Sequence, residues 1–178
     1  MRVITGFARG RKLKTVKGTD VRPTGDRVKE GLFSAIQFDI EGRRVLDLFA
    51  GSGQLGIEAL SRGAQSAVFV DFSDESLRVV KENLHSTGLE KQATVFKSDF
   101  SDFLKTTRLQ FDITFLDPPY AKGFLPTALG LLPRSMSDAG VIICEHPTET
   151  VLPEEIEGFK LSRKYKYGKV MLSLYRRG

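Results

Sequence analysis

From Arg44 onward the chain alternates apolar runs with stretches whose apolar positions recur at helical spacing, the pattern of a parallel sheet with crossover helices. The runs predict strands at 44–48, 66–70, 92–96, 111–116 and 139–145, and the periodic stretches predict helices near 54–62, 73–86, 100–107 and 122–133. The end differs, because 159–166 and 169–176 both read as strands joined through Tyr167-Gly168, a hairpin rather than another crossover unit. Ahead of this body, residues 2–16 read as two short strands around Arg9-Gly10-Arg11, a basic hairpin. A helix capped by Thr24 or Asp26 is expected to run to about Phe38, with Val28, Leu32, Phe33 and Ile36 as its packing stripe.

With 178 residues, 40% of them hydrophobic, the chain can build one good core, so one domain with an appendage is expected. No apolar run approaches the roughly 20 residues of a membrane span and the start lacks the stretch of a secretory signal, so a cytoplasmic protein with no membrane partner is expected. Cys144 is the only cysteine, which excludes an intrachain disulfide and disfavours a thiolate zinc site; His85 and His146 lack ligand partners at useful spacing, so no metal is expected. The net charge of +5 is unevenly spread: residues 1–29 carry +7, residues 160–178 carry +7 and the middle −9. Two basic ends on one side of the fold would make a footprint for a polyanion; otherwise they are solvated faces.

Three motifs carry chemistry. The strand Arg44-Val45-Leu46-Asp47-Leu48 enters Phe49-Ala50-Gly51-Ser52-Gly53-Gln54-Leu55-Gly56, a G-x-G-x-x-G turn before a helix, and Asp71 stands twenty residues after Gly51, where a ribose diol would lie. A dinucleotide site has the same outline, but Asp47 just before the turn would repel a pyrophosphate and attract the ammonium of a methionine moiety. Lys97-Ser98-Asp99-Phe100 offers a carboxylate and a ring at the height of an adenine, although Asp99 also suits the cap of the next helix. Asp117-Pro118-Pro119-Tyr120 follows an apolar strand; its prolines remove two backbone donors and leave acceptors, which suit an exocyclic amine, while Tyr120 could stack on the target base.

Residues 47–64, Arg22-Pro23-Thr24 with Asp26 to Glu30, Asp117-Pro118-Pro119-Tyr120 and Tyr167-Gly168 closely resemble the bacterial RsmD family of small-subunit ribosomal RNA guanine-N2 methyltransferases, over essentially the whole chain. The resemblance implies an α/β, Rossmann-like class I methyltransferase fold with a seven-stranded, mostly parallel sheet ending in an antiparallel hairpin. It divides the chain into an RNA-facing extension, 1–40, and a methyltransferase domain, 41–178. S-adenosylmethionine is the implied cofactor, and 16S rRNA, in the 30S subunit or an assembly intermediate, the implied partner of a monomer. The residues assigned to the cofactor are Thr24, Asp47, Phe49, Ala50, Gly51, Gly53, Asp71, Phe72, Asp99, Phe100 and Asp117, and those assigned to catalysis Asp117, Pro118, Pro119 and Tyr120. Arg9, Arg11, Lys12, Arg22, Arg163, Lys164 and Lys166 are candidates for RNA phosphates, with Tyr165 or Tyr167 able to stack on a base; Arg22 could instead hold the cofactor's carboxylate. Gly25 departs from the Thr-Thr expected after Arg-Pro. Rival readings are a DNA adenine or cytosine amine methyltransferase, a protein-glutamine methyltransferase, for which Asn would be expected at 117, and a non-catalytic RNA-binding assembly factor.

Overall fold

A computed structural model describes residues 1–18 and 24–178. In chain order the elements are α1 (Asp26–Ala35), β1 (Arg44–Asp47), α2 (Gln54–Ser61), β2 (Ser66–Asp71), α3 (Asp74–Thr87), β3 (Ala93–Lys97), α4 (Phe100–Thr106), β4 (Phe111–Leu116), α5 (Phe124–Leu131), β5 (Met136–Pro147), β6 (Glu155–Ile156), β7 (Phe159–Tyr167) and β8 (Val170–Arg177). The strands form one sheet in the order β3-β2-β1-β4-β5-β8-β7-β6. β1 to β5 are parallel, whereas β8 inserts antiparallel beside β5 and pairs antiparallel with β7. This is the Rossmann-like class I methyltransferase arrangement, with one strand more than the seven expected, the two-residue β6 at the edge.

Strand alternation sends Val45, Ile113, Phe115, Val141 and Ile143 to the face covered by α1, α2 and α3, and Leu46, Leu116, Ile142 and Cys144 to the face covered by α4 and α5. Every residue of β4 is buried, as befits a central strand with both faces covered. Gly56 permits close packing of α2 on β2, because a Cβ there would collide with the Phe69 ring. Gly31 plays the same part on α1, where the hydroxyl end of Tyr167 occupies the space a methyl would need.

The two N-terminal strands expected from the sequence are reduced to a single antiparallel bridge, Arg2 with Lys12. The reason lies in where the backbone donors go. Ile4 N–H and Thr5 N–H both donate to the Glu58 carboxylate of α2 (2.9 and 3.0 Å), and Phe7 N–H and Ala8 N–H to Ser61 (2.7 and 2.9 Å). The segment is thus an arm that divides its amides between α2 and a short ladder of its own, in which Val3 N–H reaches Arg11 O, Gly10 N–H reaches Val3 O and Leu13 N–H reaches Met1 O, each at 2.9 Å; α2 itself is buried along its whole length. Gly10 does take the positive φ, +82°, of the expected turn. The following helix ends at Ala35, short of Phe38, because Ile36 leaves helical geometry and drops into the core.

Glu58 also holds Lys29 Nζ at 3.1 Å and Arg62 Nε at 2.9 Å, with Lys29 and Glu58 both fully buried. Burial pulls the Lys29 pKa down while Glu58 pulls it back. A buried carboxylate serving two backbone donors and two cations offsets its own desolvation through those partners, so the cluster is costly to break by removing one member. Glu58→Ala is expected to cost about 3–5 kcal/mol in urea denaturation, since it strands the Lys29 charge and two amides.

Candidate active site

The parallel strands end in carboxylates along one edge of the sheet: Asp47 on β1, Asp71 on β2, Asp99 after β3, Asp117 after β4 and Glu145 near the end of β5. The strand order reverses between β1 and β4, the crevice where open α/β sheets take their ligands. A cavity of about 880 Å³ opens there. Asp47, Phe49, Ala50, Gly51, Asp71, Phe72, Asp99, Phe100 and the Asp117-Pro118-Pro119-Tyr120 turn all line it. Gly53 and Thr24 lie behind its wall: a Cβ at Gly53 (φ +80°) would meet Val80 and Phe69 at 3.2 and 3.3 Å, so its work is the turn itself.

The glycine turn is held from below by the acids. Gly51 (φ +56°) donates its N–H to Asp71 Oδ2 at 2.9 Å, and Ser73 N–H donates to Asp71 Oδ1 at 2.9 Å. Asp71 therefore joins the first two strand ends while still reaching the cavity. Gly56 N–H donates to Asp47 Oδ2 at 3.0 Å. Asp47 is 2% exposed, and burial pushes its pKa up to about 7, with the Asp71 charge adding to the rise and the Gly56 bond opposing it. Such a carboxylate lacks only a cation to remain charged at neutral pH. Gln54, the first residue of α2, is buried and lines the same cavity, and its Oε1 has no hydrogen-bond partner among the described residues. An orphan acceptor next to a destabilised carboxylate fits a ligand bearing several N–H donors and positive charge.

Asp99 caps α4, accepting at Oδ1 from Ser101 N–H (2.8 Å), Asp102 N–H (3.2 Å) and the Ser101 hydroxyl (2.7 Å). The Ser101 hydroxyl bond contributes most to holding its pKa below the ordinary range, with the Asp102 and Ser101 amides adding to it. Capping and cavity lining thus coexist in this residue. Phe49, Phe100 and Phe124 cluster with ring centroids 5.0–6.1 Å apart and form an apolar wall that suits a flat heteroaromatic ring. Phe124 is not among the residues expected from the sequence, because it joins the wall only through the packing of α5.

Glu145 is the larger omission. It ends the apolar run Val141 to Cys144 at the ligand-bearing edge, and a carboxylate buried there is costly unless used. Tyr120 donates its hydroxyl to Glu145 Oε1 at 3.1 Å, and Thr24 Oγ1 lies 2.9 Å from Glu145 Oε2 and 3.1 Å from Asp117 Oδ2. Thr24 has one hydroxyl proton and can donate to one carboxylate at a time, so a proton kept on the other carboxyl completes both bonds. Accordingly Asp117 is raised well above the usual carboxylate range, first by burial and then by the Glu145 charge, with the Thr24 bond opposing. The two prolines that follow supply no backbone donor, so this wall of the cavity is rich in acceptors.

The basic candidates separate. Arg9, Arg11 and Lys12 are exposed on the arm, on the α1–α3 face. On β7, Arg163 pairs across to Leu174 and shares that face, whereas Lys164 and Lys166, opposite Ser173 and Met171, project to the other. Tyr165 and Tyr167 pack on the core, which corrects the expectation that either stands free to stack. Arg22 and Pro23 lie outside the described residues.

A model of the family described as conserved hypothetical protein 95 matches residues 1–176. The "Putative rRNA methyltransferase YlbH" of Bacillus subtilis is 42% identical, covering 99% of either chain. The ribosomal RNA small subunit methyltransferase D of Escherichia coli K12 is 36% identical over 99% of this chain and 90% of its own. Among solved structures, that described as "Putative methyltransferase yhhF" of Escherichia coli superposes with a TM-score of 0.86 at 35% identity, covering 99% of this chain and 97% of the other.

The raised Asp47 pKa has a measurable consequence. Asp47 keeps its proton in the folded state up to about pH 7 but loses it near 3.9 when unfolded, so its contribution to stability is full below about pH 4 and is lost as pH rises through 7. Asp47→Asn is therefore expected to match the parent near pH 4 and to gain on it by up to roughly 4 kcal/mol by about pH 8, followed by Tm or urea midpoint across that range.

Proposed function

We infer from membership of the ribosomal RNA small subunit methyltransferase D family, to which this chain belongs, that it methylates the exocyclic N2 of a guanine in 16S ribosomal RNA, using S-adenosylmethionine. The observation that carries the reading is the acceptor wall at the switch point, Asp117 with the carbonyl side of Pro118, facing the same cavity as Asp47 and the glycine turn. When bound, S-adenosylmethionine supplies a sulfonium-activated methyl group. Asp47 and Gln54 Oε1 would accept from its ammonium and Asp71 from the ribose diol, while Phe49, Phe100 and Phe124, with Phe72 at the rim, would hold its ring. Neutralising Asp47 with an ammonium would remove the electrostatic cost of its burial, which gives the site a driving force for that ligand.

The chemistry asked of the protein is positioning and proton handling. An exocyclic amine is a poor nucleophile because its lone pair is delocalised into the base. Donating both N–H groups to Asp117 and the Pro118 carbonyl favours a pyramidal nitrogen whose lone pair faces the methyl carbon. As the N–C bond forms and the C–S bond breaks, the nitrogen becomes acidic, and Asp117, made more basic by burial and by Glu145, is placed to take the proton. Thr24 and Glu145 hold Asp117 in orientation, and Tyr120 offers a ring at the mouth for an unpaired base. Residues 1–40 act as the extension facing RNA, with Arg9, Arg11, Lys12 and Arg163 on one side of the sheet, and residues 41–178 carry the chemistry.

The direct test is transfer of labelled methyl from S-adenosylmethionine to 30S subunits from a strain lacking the gene, with naked rRNA and DNA in parallel, followed by nucleoside analysis. N2-methylguanosine from the subunits is expected; label in DNA alone would instead support a DNA amine methyltransferase. Asp117→Ala should lower kcat at least about 100-fold with cofactor Kd changed little. Arg9→Glu with Arg11→Glu should weaken RNA binding and flatten its salt dependence.

A further inference from the structure

Phe7 is 89% exposed and adds nothing to the core, yet its backbone is among the most firmly held on the surface. Its N–H donates to the Ser61 carbonyl at 2.7 Å, and the amide of the next residue, Ala8, donates to the Ser61 hydroxyl, which itself donates to Thr5 O at 2.7 Å. Gly6 takes φ +90° and presses so closely on Ser61 that a Cβ there would collide with its carbonyl. Arg9 N–H and Arg11 N–H close the bend onto Gly6 O and Ala8 O at 3.2 and 3.1 Å. The arm thus presents an aromatic ring on a rigid mount, within a few residues of the exposed cations Arg9, Arg11 and Lys12.

We propose that Phe7 is a stacking platform for an unpaired base of the RNA substrate, with the adjacent cations holding the flanking phosphates. The inference rests on the RNA reading above and adds to it a fully accessible aromatic ring, which Tyr165 and Tyr167, half-buried against the core, do not offer. Base stacking needs an accessible π-face; a backbone already held to α2 leaves only the two side-chain torsions of the ring to be ordered on binding, and cations beside it supply the sequence-independent attraction of the RNA backbone. Anchoring to α2, the helix that opens at the cofactor turn, gives that base a fixed position relative to the active site.

The chain contains no tryptophan, so Phe7→Trp introduces a unique fluorophore. Phe38→Trp is the control, because Phe38 is 93% exposed but stands apart from the Arg9, Arg11 and Lys12 cluster, next to Asp39, whose carboxylate is already paired with Arg176. Both proteins are titrated with poly(A) RNA and with polyphosphate of matched charge, binding being followed independently by anisotropy of labelled RNA. Quenching of Phe7→Trp by RNA but not by polyphosphate is expected, with Phe38→Trp silent to both. Phe7→Ala should lose roughly 5- to 150-fold in RNA affinity with the salt dependence unchanged. Equal quenching by both polyanions, no quenching by bound RNA, or parental affinity of Phe7→Ala overturns the proposal while leaving the RNA reading intact. A Phe7→Trp response seen only with protein-bearing ribosomal particles would make this a protein contact and overturn it too. Failure of the parent protein to bind any RNA would remove the RNA reading itself.

Discussion

The buried carboxylate of Glu58 organises the molecule more than any other single group. It sits on α2 between the sheet and the arm, takes amides from Ile4 and Thr5, and holds Lys29 from α1 and Arg62 from its own helix. A charge in so dry a place is tolerable only when all these partners are present together. The arm, α1 and α2 consequently behave as one assembly. Its coherence matters for function because α2 begins at the glycine turn, and because the arm's own continuation, Thr15 to Gly18, forms part of the cavity wall. Asn83 tightens this link from the other side, pairing its amide with both Lys14 backbone groups and with the Ser52 carbonyl of the turn. The arm that would meet RNA and the loop that would hold the cofactor are therefore mechanically continuous.

Against this neutralised acid stand those at the strand ends, which are left in an opposite electrostatic condition. Asp47 is buried and Asp117 half-buried at the cavity, both with their pKa values raised, satisfied by an amide and a hydroxyl respectively instead of by full ion pairs. Destabilised carboxylates at a ligand-bearing edge are what a cationic donor and an amine substrate can relieve. Asp112 shows that the fold can neutralise an acid when it needs to. Burial would raise this residue, yet Arg44 and Ser137 hold it at about 2, at the opposite end of β4 from the site.

Most of the sheet was legible because parallel strands buried on both faces leave unbroken apolar runs, and crossover helices leave a period the eye can count. The glycine turn and the Asp-Pro-Pro-Tyr turn were legible because each compresses its chemistry into adjacent residues. What escaped was non-local. Glu145 and Phe124 join the site only once β5 and α5 are packed beside β4, and neither carries a local mark strong enough to announce a role. The arm reads as a hairpin because its turn chemistry is correct, and it keeps a short ladder there, but Glu58 and Ser61, more than fifty residues away, take the amides of Ile4, Thr5, Phe7 and Ala8 and cut its strands short. Tyr165 and Tyr167 looked available on a basic strand, and the parity that turns them inward depends on a register shift near Arg163 that no pattern of residue types discloses.

By itself, then, the amino-acid sequence determined the α/β layering, the helices and strands of the main body and the chemical character of the two site turns, since all of these follow from short-range sterics and periodic burial. Only the tertiary structure decided which acids are neutralised and which are left strained at the cavity, which aromatic ring faces solvent, and which basic residues share a face. Those outcomes depend on dielectric environment and on partners far away in the chain, quantities that exist only after the core has closed.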